Sequence, residues 1–481
     1  MIRFILNNQL VNATQASGST LLDYIRYYKR LVGTKIGCRE GDCGACTILV
    51  GDFENQPAGG LGDKLVYRSM TSCLMPLGNA AGKHIVTVEG INMDKLSPVQ
   101  QAMVDTNGTQ CGFCTLGFVM SLTGFVLHET TKYYPDAIAA IDGNICRCTG
   151  YKSIERAAAV LTEKISDKPS EQTLPWLVEN DFIPGYFLGI KDRLKNLQET
   201  ISTEAADNTG KQELMIGGGT DLVVQKALQV KKSVVAHLFN NDHLQGIIFE
   251  DGQCHIGAAV TVTVFAESPL MRDFFPGLHS YIKKISSTPI RNMATMAGNL
   301  VNASPIGDMS IFFLALDSEL VLNKAGITRK IKLRDFYTGY KQIDKAADEI
   351  IEKIIFTPPQ DNYFNFEKVS KRMHLDIASV NTACQFRMNK DTVVEDMHLS
   401  AGGVAPFPKY LKNTASFLKG RQLNTANLKA AVEVMYAEIA PISDARGTRE
   451  YKMLLLRQLF LAHFKSTDAD MEQAVKEVLQ A

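Results

Sequence analysis

The chain has 481 residues, about three domains' worth at ~150 residues each, so a one-domain enzyme is not expected. Apolar residues make up 45% and charged residues 21%, which fits a folded chain and excludes a disordered one. Lys plus Arg and Asp plus Glu each number 51, and the resulting zero net charge removes the basic footprint of a nucleic-acid binder. In chain order, Ile2–Leu6 reads as a strand, 20–31 as a helix and 46–50 as a strand. Ser97 and Pro98 open a helix, followed by helices over 115–129 and 153–165. SDKPSEQTLP (166–175) is Ser-, Pro- and charge-rich without apolar period, so a linker is placed over 166–180. Residues 181–360 alternate strands with glycine-rich loops and short helices, and TPPQDN (357–362) marks a further boundary. Residues 363–481 read as strands to about 401 and amphipathic helices from Asn424 onward. The expected domains are therefore 1–90, 91–165, 181–360 and 363–481.

The N-terminus, MIRFILNNQL, lacks the long apolar core and cleavage site of a secretory signal. From Thr106 to His128, 23 residues, there is no Asp, Glu, Lys or Arg. That length could span a bilayer, but Asn107, Gln110, Ser121 and a CxxC favour a buried helix preceded by a ligand loop. A reducing, cytoplasmic setting without membrane is expected.

Eight of the ten cysteines lie between Cys38 and Cys148. Clustered cysteines in a reducing compartment point to metal ligation more than to disulfides. Cys38, Cys43 and Cys46 in GCREGDCGACT, with Cys73 after 26 intervening residues, have the C-x4-C-x2-C…C spacing of plant-type [2Fe–2S] ligands. Gly37, Gly41 and Gly44 would let the loop wrap closely and aim N–H groups at a negative cluster. A four-cysteine zinc site or buried free thiols remain open on these residues alone. Cys111 and Cys114 in CGFC precede one helix, and Cys146 and Cys148 in CRC precede another. Helix N-termini favour negative charge, so a second [2Fe–2S] cluster fits, with zinc again the alternative by spacing.

GCREGDCGACT, TQCGFC and GNICRCTGYKSI together resemble the two iron–sulfur domains of the molybdenum hydroxylase family, within it the xanthine dehydrogenases. The resemblance implies an α+β multidomain chain: a β-grasp ferredoxin-like domain, an all-helical [2Fe–2S] domain, a vanillyl-alcohol oxidase-type FAD-binding domain and an α+β C-terminal flavoprotein domain. All eight ligand positions are filled. Leu116 departs from the family, which usually has proline after CGFCT.

MIGGGTDL (215–222) and TMAGNLVNASPIGD (295–308) match neither GxGxxG nor GxxxxGK[ST], so Rossmann and Walker readings fail. Alone, GGGTD also fits an ordinary turn; the second segment gathers Gly298, Asn299, Ser304 and Asp308. In this order the two are similar to the family's FAD loops. By that resemblance Met215, Ile216, Gly217, Gly218, Gly219, Thr220, Asp221 and Leu222, with Thr295, Met296, Ala297, Gly298 and Asn299, would hold the FAD pyrophosphate. Asp308 would meet the ribitol or ribose side, Ile285 and Ile351 would line the cofactor, and Lys368 would lie near the flavin or its phosphates. Ala297 stands where the family mostly has glycine. Leu375-Asp376 stands where it often has two acidic residues. SAGGVAPFPK (400–409) and PISDARGTREYK (441–452) resemble the C-terminal flavoprotein domain. Cys254 and Cys384 read as core cysteines.

No HExxH or GxSxG is present, and no catalytic acid–base residue is expected on this chain. The resemblance implies an electron-transfer subunit whose partner, a large molybdenum-cofactor subunit, hydroxylates xanthine or hypoxanthine toward urate. Electrons would pass through two [2Fe–2S] clusters to FAD and on to NAD⁺, in a heterotetramer or larger assembly. The same scaffold could serve an aldehyde or other N-heterocycle hydroxylase, or a stand-alone NADH:acceptor reductase.

Overall fold

Alternating burial in IRFIL and QLVNA pairs Ile2–Leu6 (β1) antiparallel with Gln9–Ala13 (β2) across a turn where Asn7 adopts a left-handed backbone, φ 53. The computed structural model describes residues 1–55, 61–204, 214–359, 363–372, 375–465 and 469–480. These form two compact units. One contains the described chain to Asp242 together with Ser287–Ala294; the other contains His243–Ser286 and the chain from Thr295 onward.

In the first unit Thr47–Asn55 (β3), Leu61–Thr71 (β4) and His84–Val86 (β5) complete a five-stranded sheet of order β2-β1-β5-β3-β4, with β1 and β5 parallel. Where the sequence predicts one helix over 20–31, the structure holds a single turn, Leu21–Asp23, capped by Thr20 and continued as a wider π-turn over Tyr24–Tyr28. The wider turn buries Leu21, Leu22, Tyr24 and Ile25 while Tyr27 and Tyr28 stay exposed.

Pro98–Asp105 (α1) opens on a reciprocal cap, Gln100 N–H to Ser97 Oγ at 3.3 Å and Ser97 N–H to Gln100 Oε1 at 2.8 Å. Thr115–Leu127 (α2) is apolar on nearly every face because it is the core of the helical part, packed with Tyr134–Ala140 (α3) and Lys152–Lys164 (α4). Among the described residues no helix is long and apolar enough to cross a membrane. The expected linker is packed: Lys168 is fully buried and donates to the carbonyls of Val126, His128 and Thr131 at 3.0, 2.6 and 3.1 Å. Thr173–Glu179 (α5) follows, with Leu177 in the same core. After Ile190–Glu204 (α6), Leu214–Ile216 (β6), Leu222–Lys232 (α7) and Val235–His237 (β7) make a parallel β-α-β unit.

The second unit has a five-stranded antiparallel sheet built from Ile247–Glu250 (β8), Gln253–Gly257 (β9), Glu319–Lys324 (β10), Ile327–Lys332 (β11) and Ile350–Phe356, in the order β11-β10-(Ile350–Phe356)-β9-β8. Met296–Asn302 (α8) and Asp308–Leu314 (α9) also lie in this unit, and α9 brings Phe312 against Phe275 and Phe364 at centroid distances of 5.1 and 4.6 Å. An antiparallel meander of Tyr363–Val369, Val380–Met388, Val394–Gly402 and Lys409–Tyr410 is packed by helices Thr425–Glu438, Arg449–Ala462 and Ala469–Gln480. The helix expected from Asn424 thus begins there, Asn424 Oδ1 accepting from Asn427 N–H at 2.9 Å.

His84, in β5 of the first unit, is fully buried. Its Nε2 donates to the Asn7 carbonyl at 2.8 Å and its Nδ1 takes the Tyr67 hydroxyl at 2.8 Å, which fits a neutral ring. Burial pushes its pKa down from 6.5 to about 4. The unfolded state therefore binds the proton first, and stability is lost as pH falls through that window, by up to ~1.4 kcal/mol per pH unit. Denaturant titrations at several pH values should show this slope, and His84→Phe should flatten it despite lower stability at neutral pH.

Candidate functional site

The loop between the π-turn and β3 holds Cys38, Cys43 and Cys46, and Cys73 follows β4. Its glycines are needed by geometry. A Cβ on Gly37 would come 2.6 Å from Cys43 Sγ, and Gly41 and Gly44 have φ of +82 and +67. Backbone N–H groups turn toward sulfur: Glu40 to Cys38 Sγ at 3.3 Å and Cys38 to Cys43 Sγ at 3.4 Å. The thiols come in twos. A hydrogen bond from Cys43 holds Cys38 down to about 5 and Cys43 correspondingly high. Cys73 does the same for buried Cys46, lowering it against the cost of burial.

Cys111 and Cys114 stand just before α2, and Cys146 and Cys148 just before α4. All four are free thiols, Cys111 hydrogen-bonded to Cys148 and Cys114 to Cys146. The Phe113 N–H, then Cys148, lowers the Cys111 thiol; Thr149 N–H reaches Cys146 Sγ at 3.4 Å. Among the described residues no three His, Cys, Asp or Glu side chains converge on a single-ion site. Paired thiols facing backbone N–H groups fit the demand of a [2Fe–2S] cluster, which takes two protein ligands on each iron.

The two cysteine centres meet backbone to backbone. Ile145 N–H, beside Cys146, donates to the Cys43 carbonyl at 3.0 Å. Asn144 Nδ2 donates to the Gly44 carbonyl at 3.1 Å while its Oδ1 accepts from Ser121 Oγ of α2 at 2.7 Å. A Cβ on Gly117 would come 2.2 Å from the Gly44 carbonyl, and one on Gly44 2.4 Å from the Gly143 carbonyl. Leu116 sits in the first turn of α2, partly buried against the helical core. Segment Ser287–Ala294 packs here too: Arg291 pairs with Asp142 at 2.8 Å, nearly buried on both sides, and Asn292 Nδ2 donates to the Ser69 carbonyl at 2.7 Å.

Met215 and Ile216 end β6, Gly217–Asp221 turn, and Leu222 starts α7, which kinks at Lys226, φ −141. A Cβ on Gly218 would lie 1.8 Å from the Met293 carbonyl, and one on Gly219, φ +87, 2.5 Å from the Leu74 carbonyl. A glycine turn running into a helix N-terminus offers backbone donors suited to a pyrophosphate. The other expected loop belongs to the second unit. There Thr295 Oγ1 caps α8 by accepting Gly298 N–H at 3.2 Å, Ala297 N–H donates to the Ala258 carbonyl at 3.1 Å, and Gly298 is exposed. Asn299 Oδ1 accepts the Ser310 N–H at 3.2 Å, and Ser304 Oγ meets Ile306 N–H at 3.5 Å.

Asp308 and Lys368 are brought together. Lys368 Nζ, with a side chain only 2% exposed, pairs with Asp308 Oδ2 at 2.7 Å and donates to the Lys284 carbonyl at 2.7 Å; Asn381 Nδ2 holds Asp308 Oδ1 at 2.6 Å. Ile285 and Ile351 are buried in the same unit. Leu375 has φ 51, its carbonyl accepts from Arg372 Nη2 at 2.9 Å, and Asp376 accepts from Arg372 N–H at 2.8 Å. Cys254 and Cys384 are buried strand residues, Cys254 pushed up to about 12 by burial. Sequence reasoning passed over Asn144 and Asp142, although Asn144 stands inside the GNICRC motif itself.

Four family models match the chain: the 2Fe-2S iron-sulfur cluster binding domain over residues 4–77, the [2Fe-2S] binding domain over 87–159, the FAD binding domain in molybdopterin dehydrogenase over 193–359 and the CO dehydrogenase flavoprotein C-terminal domain over 365–467. Two 2Fe–2S domains and an FAD-binding domain on one chain define an iron–sulfur flavoprotein. Xanthine dehydrogenase of Emericella nidulans is 29% identical over 486 residues, covering 88% of this chain and 35% of that protein. Xanthine dehydrogenase of Blastobotrys adeninivorans is 26% identical, covering 93% of this chain and 39% of the relative. A solved carbon monoxide dehydrogenase chain from Hydrogenophaga pseudoflava is 21% identical with a TM-score of 0.49, over 54% of this chain and 90% of that one. The chain thus carries two 2Fe–2S domains and the FAD-binding domain of molybdopterin dehydrogenases, and it spans 35–39% of the length of the xanthine dehydrogenases to which it is similar.

Gly44→Ala should damage the junction of the two centres. The left-handed backbone alone costs a side chain about 1–2 kcal/mol, and the added methyl also meets the Gly143 carbonyl. Iron content and visible circular dichroism of the purified variant should both fall below wild type.

Proposed function

We propose that this chain is the electron-transfer subunit of a xanthine dehydrogenase-type enzyme in the cytoplasm, working with a separate large molybdenum-cofactor subunit in a heterotetramer or larger assembly. The partner would hydroxylate xanthine or hypoxanthine. When bound, the two clusters pass single electrons and the flavin collects them in pairs for hydride delivery to NAD⁺.

The residues divide the work as follows. Cys111, Cys114, Cys146 and Cys148 would hold the cluster that receives electrons from the partner. Cys38, Cys43, Cys46 and Cys73 would hold the next. Met215–Leu222 and Thr295–Asn299 would hold the FAD pyrophosphate, with Asp308, Ser304, Ile285 and Ile351 shaping the site and Lys368 fixing Asp308. The observation that supports this order best is the 3.0 Å bond from Ile145 N–H to the Cys43 carbonyl, a short covalent and hydrogen-bonded route between Cys146 and Cys43. The names of the relatives favour xanthine over an aldehyde or another N-heterocycle.

An anaerobic visible spectrum before and after NADH tests the acceptor side. Flavin and iron–sulfur bands that both bleach support the relay; a colourless zinc protein overturns it. In the assembled enzyme Cys43→Ser should reduce xanthine:NAD⁺ turnover to background while NADH oxidation by an artificial dye persists. Unchanged xanthine:NAD⁺ turnover in that variant would remove the first cluster from the path.

A further inference from the structure

The segment that follows Cys73 is buried throughout, and Asn79, only 1% exposed, joins it to the glycine turn 217–219. Asn79 Nδ2 donates to the Gly217 carbonyl at 2.9 Å. Its Oδ1 meets His237 Nδ1, at the end of β7, at 2.7 Å. Its own carbonyl accepts from Asn240 Nδ2 at 3.3 Å. The carboxamide ties the residue after β6 to the end of β7, and the backbone carbonyl of the same residue holds the turn that follows.

These bonds fix one another's polarity. Because Nδ2 serves a carbonyl, Oδ1 is the acceptor, so His237 carries its proton on Nδ1. His237 Nε2 is then a bare acceptor, and it is buried without a hydrogen-bond partner. Burial keeps this ring neutral, lowering its pKa to about 4. Gly78 lies flat on the ring, since a Cβ there would come 2.2 Å from Nε2. Further along the turn, Gly219 leaves room for the Leu74 carbonyl and Gly218 for the Met293 carbonyl. The missing side chains of two of the three consecutive glycines thus face protein backbone, one of them the residue next to Cys73.

We infer that Asn79, assisted by His237, is a positioning residue for the flavin: by holding the Gly217 carbonyl it sets the direction of the turn's N–H groups and fixes that turn to the segment bearing Cys73. This rests on the proposed FAD site at Met215–Leu222. A peptide whose carbonyl is held on one side presents its neighbouring N–H groups in one orientation, so anion binding needs less reorganisation. The loop reaches its ligand-binding shape through a residue of the neighbouring ferredoxin-like domain, 138 positions earlier in the chain.

Asn79→Asp separates the two bonds. A carboxylate still accepts from His237 Nδ1 but cannot donate to the Gly217 carbonyl. FAD is removed from the purified full-length chain, and rebinding is followed by quenching of flavin fluorescence; iron content and visible circular dichroism report whether the clusters and fold persist. Asn79→Asp and Asn79→Ala are each expected to weaken FAD binding on the order of tenfold or more with clusters retained, since a buried carbonyl is left without its donor. His237→Ala, which removes the other bond, should weaken it less. Thr220→Glu, which sets a negative charge in the turn, tests the site itself. If Thr220→Glu abolishes FAD binding while both Asn79 variants bind as tightly as wild type, the positioning role is overturned and the site stands. If Thr220→Glu leaves FAD affinity unchanged, the site assignment fails, and the inference with it. Should Asn79→Ala lose its clusters, the Asp variant and His237→Ala decide the question.

Discussion

The Ile145 N–H to Cys43 carbonyl bond sets a demand that the rest of the first unit answers. Two loops that each must wrap a cluster also have to touch through their backbones, at 3.0 Å, beside cysteines of both sets. No side chain fits between them. Gly44, Gly117 and Gly143 stand where the loops cross, and the Gly44 carbonyl accepts from Asn144 Nδ2 of the other loop as well as from Thr47 Oγ1 of its own. Buried carbonyls in such a crossing need donors, and an amide held from behind by Ser121 is a rigid one. The helical domain takes its place from the same demand, because Gly117 and Ser121 are one turn apart on α2.

What was legible in the sequence was what is local along the chain. Cysteine spacing, the glycines between cysteines and the Ser97 cap all act within a few residues, so periodicity and motif spacing carry them. The π-turn at Tyr24–Tyr28 was not legible, because its extra residue is accommodated by burial of Tyr24 and Ile25 in a core assembled from distant strands. The polar composition of 166–175 suggested a linker. Composition does not reveal that carbonyls at the end of α2 and just beyond, from Val126, His128 and Thr131, form a seat for one ammonium, Lys168. Asn79 and His237 are 158 positions apart, and neither residue type signals the other.

In the second unit the expected flavin residues show the difference between contact and support. Lys368 is nearly inaccessible and ion-paired, so its charge is neutralised inside the protein by Asp308. Burying such a pair carries a desolvation cost that is offset only when further hydrogen bonds complete it, and here the Lys284 carbonyl and Asn381 do so. The network ties the residue before Ile285, the start of α9 and the Tyr363–Val369 strand to one point. Lys368 is thereby suited to fixing the frame of the site rather than reaching its ligand. The same frame holds the Ser304–Asp308 stretch, since Asn381 Nδ2 also approaches the Ile306 carbonyl at 3.3 Å.

Burial differs between the two cysteine sets of the proposed relay, although each has an exposed member, Cys38 in one and Cys111 and Cys148 in the other. Cys111 and Cys148 are exposed, where a partner could approach within tunnelling reach, while Cys114 and Cys146 lie deeper. Cys146 adjoins Ile145 and so leads to Cys43; beyond it Cys46 and Cys73 are each 2% exposed. Cys73 is followed at once by Leu74, whose carbonyl lies against Gly219 of the glycine turn. Solvent exposure and hydrogen bonds to sulfur both tune a cluster's potential. Two exposed thiols in one centre against one in the other give the two centres different surroundings while their ligand loops stay in backbone contact. In the proposed relay the centre with two exposed thiols faces the partner, and the centre that ends at Cys73 leads through Leu74 to the glycine turn 217–219.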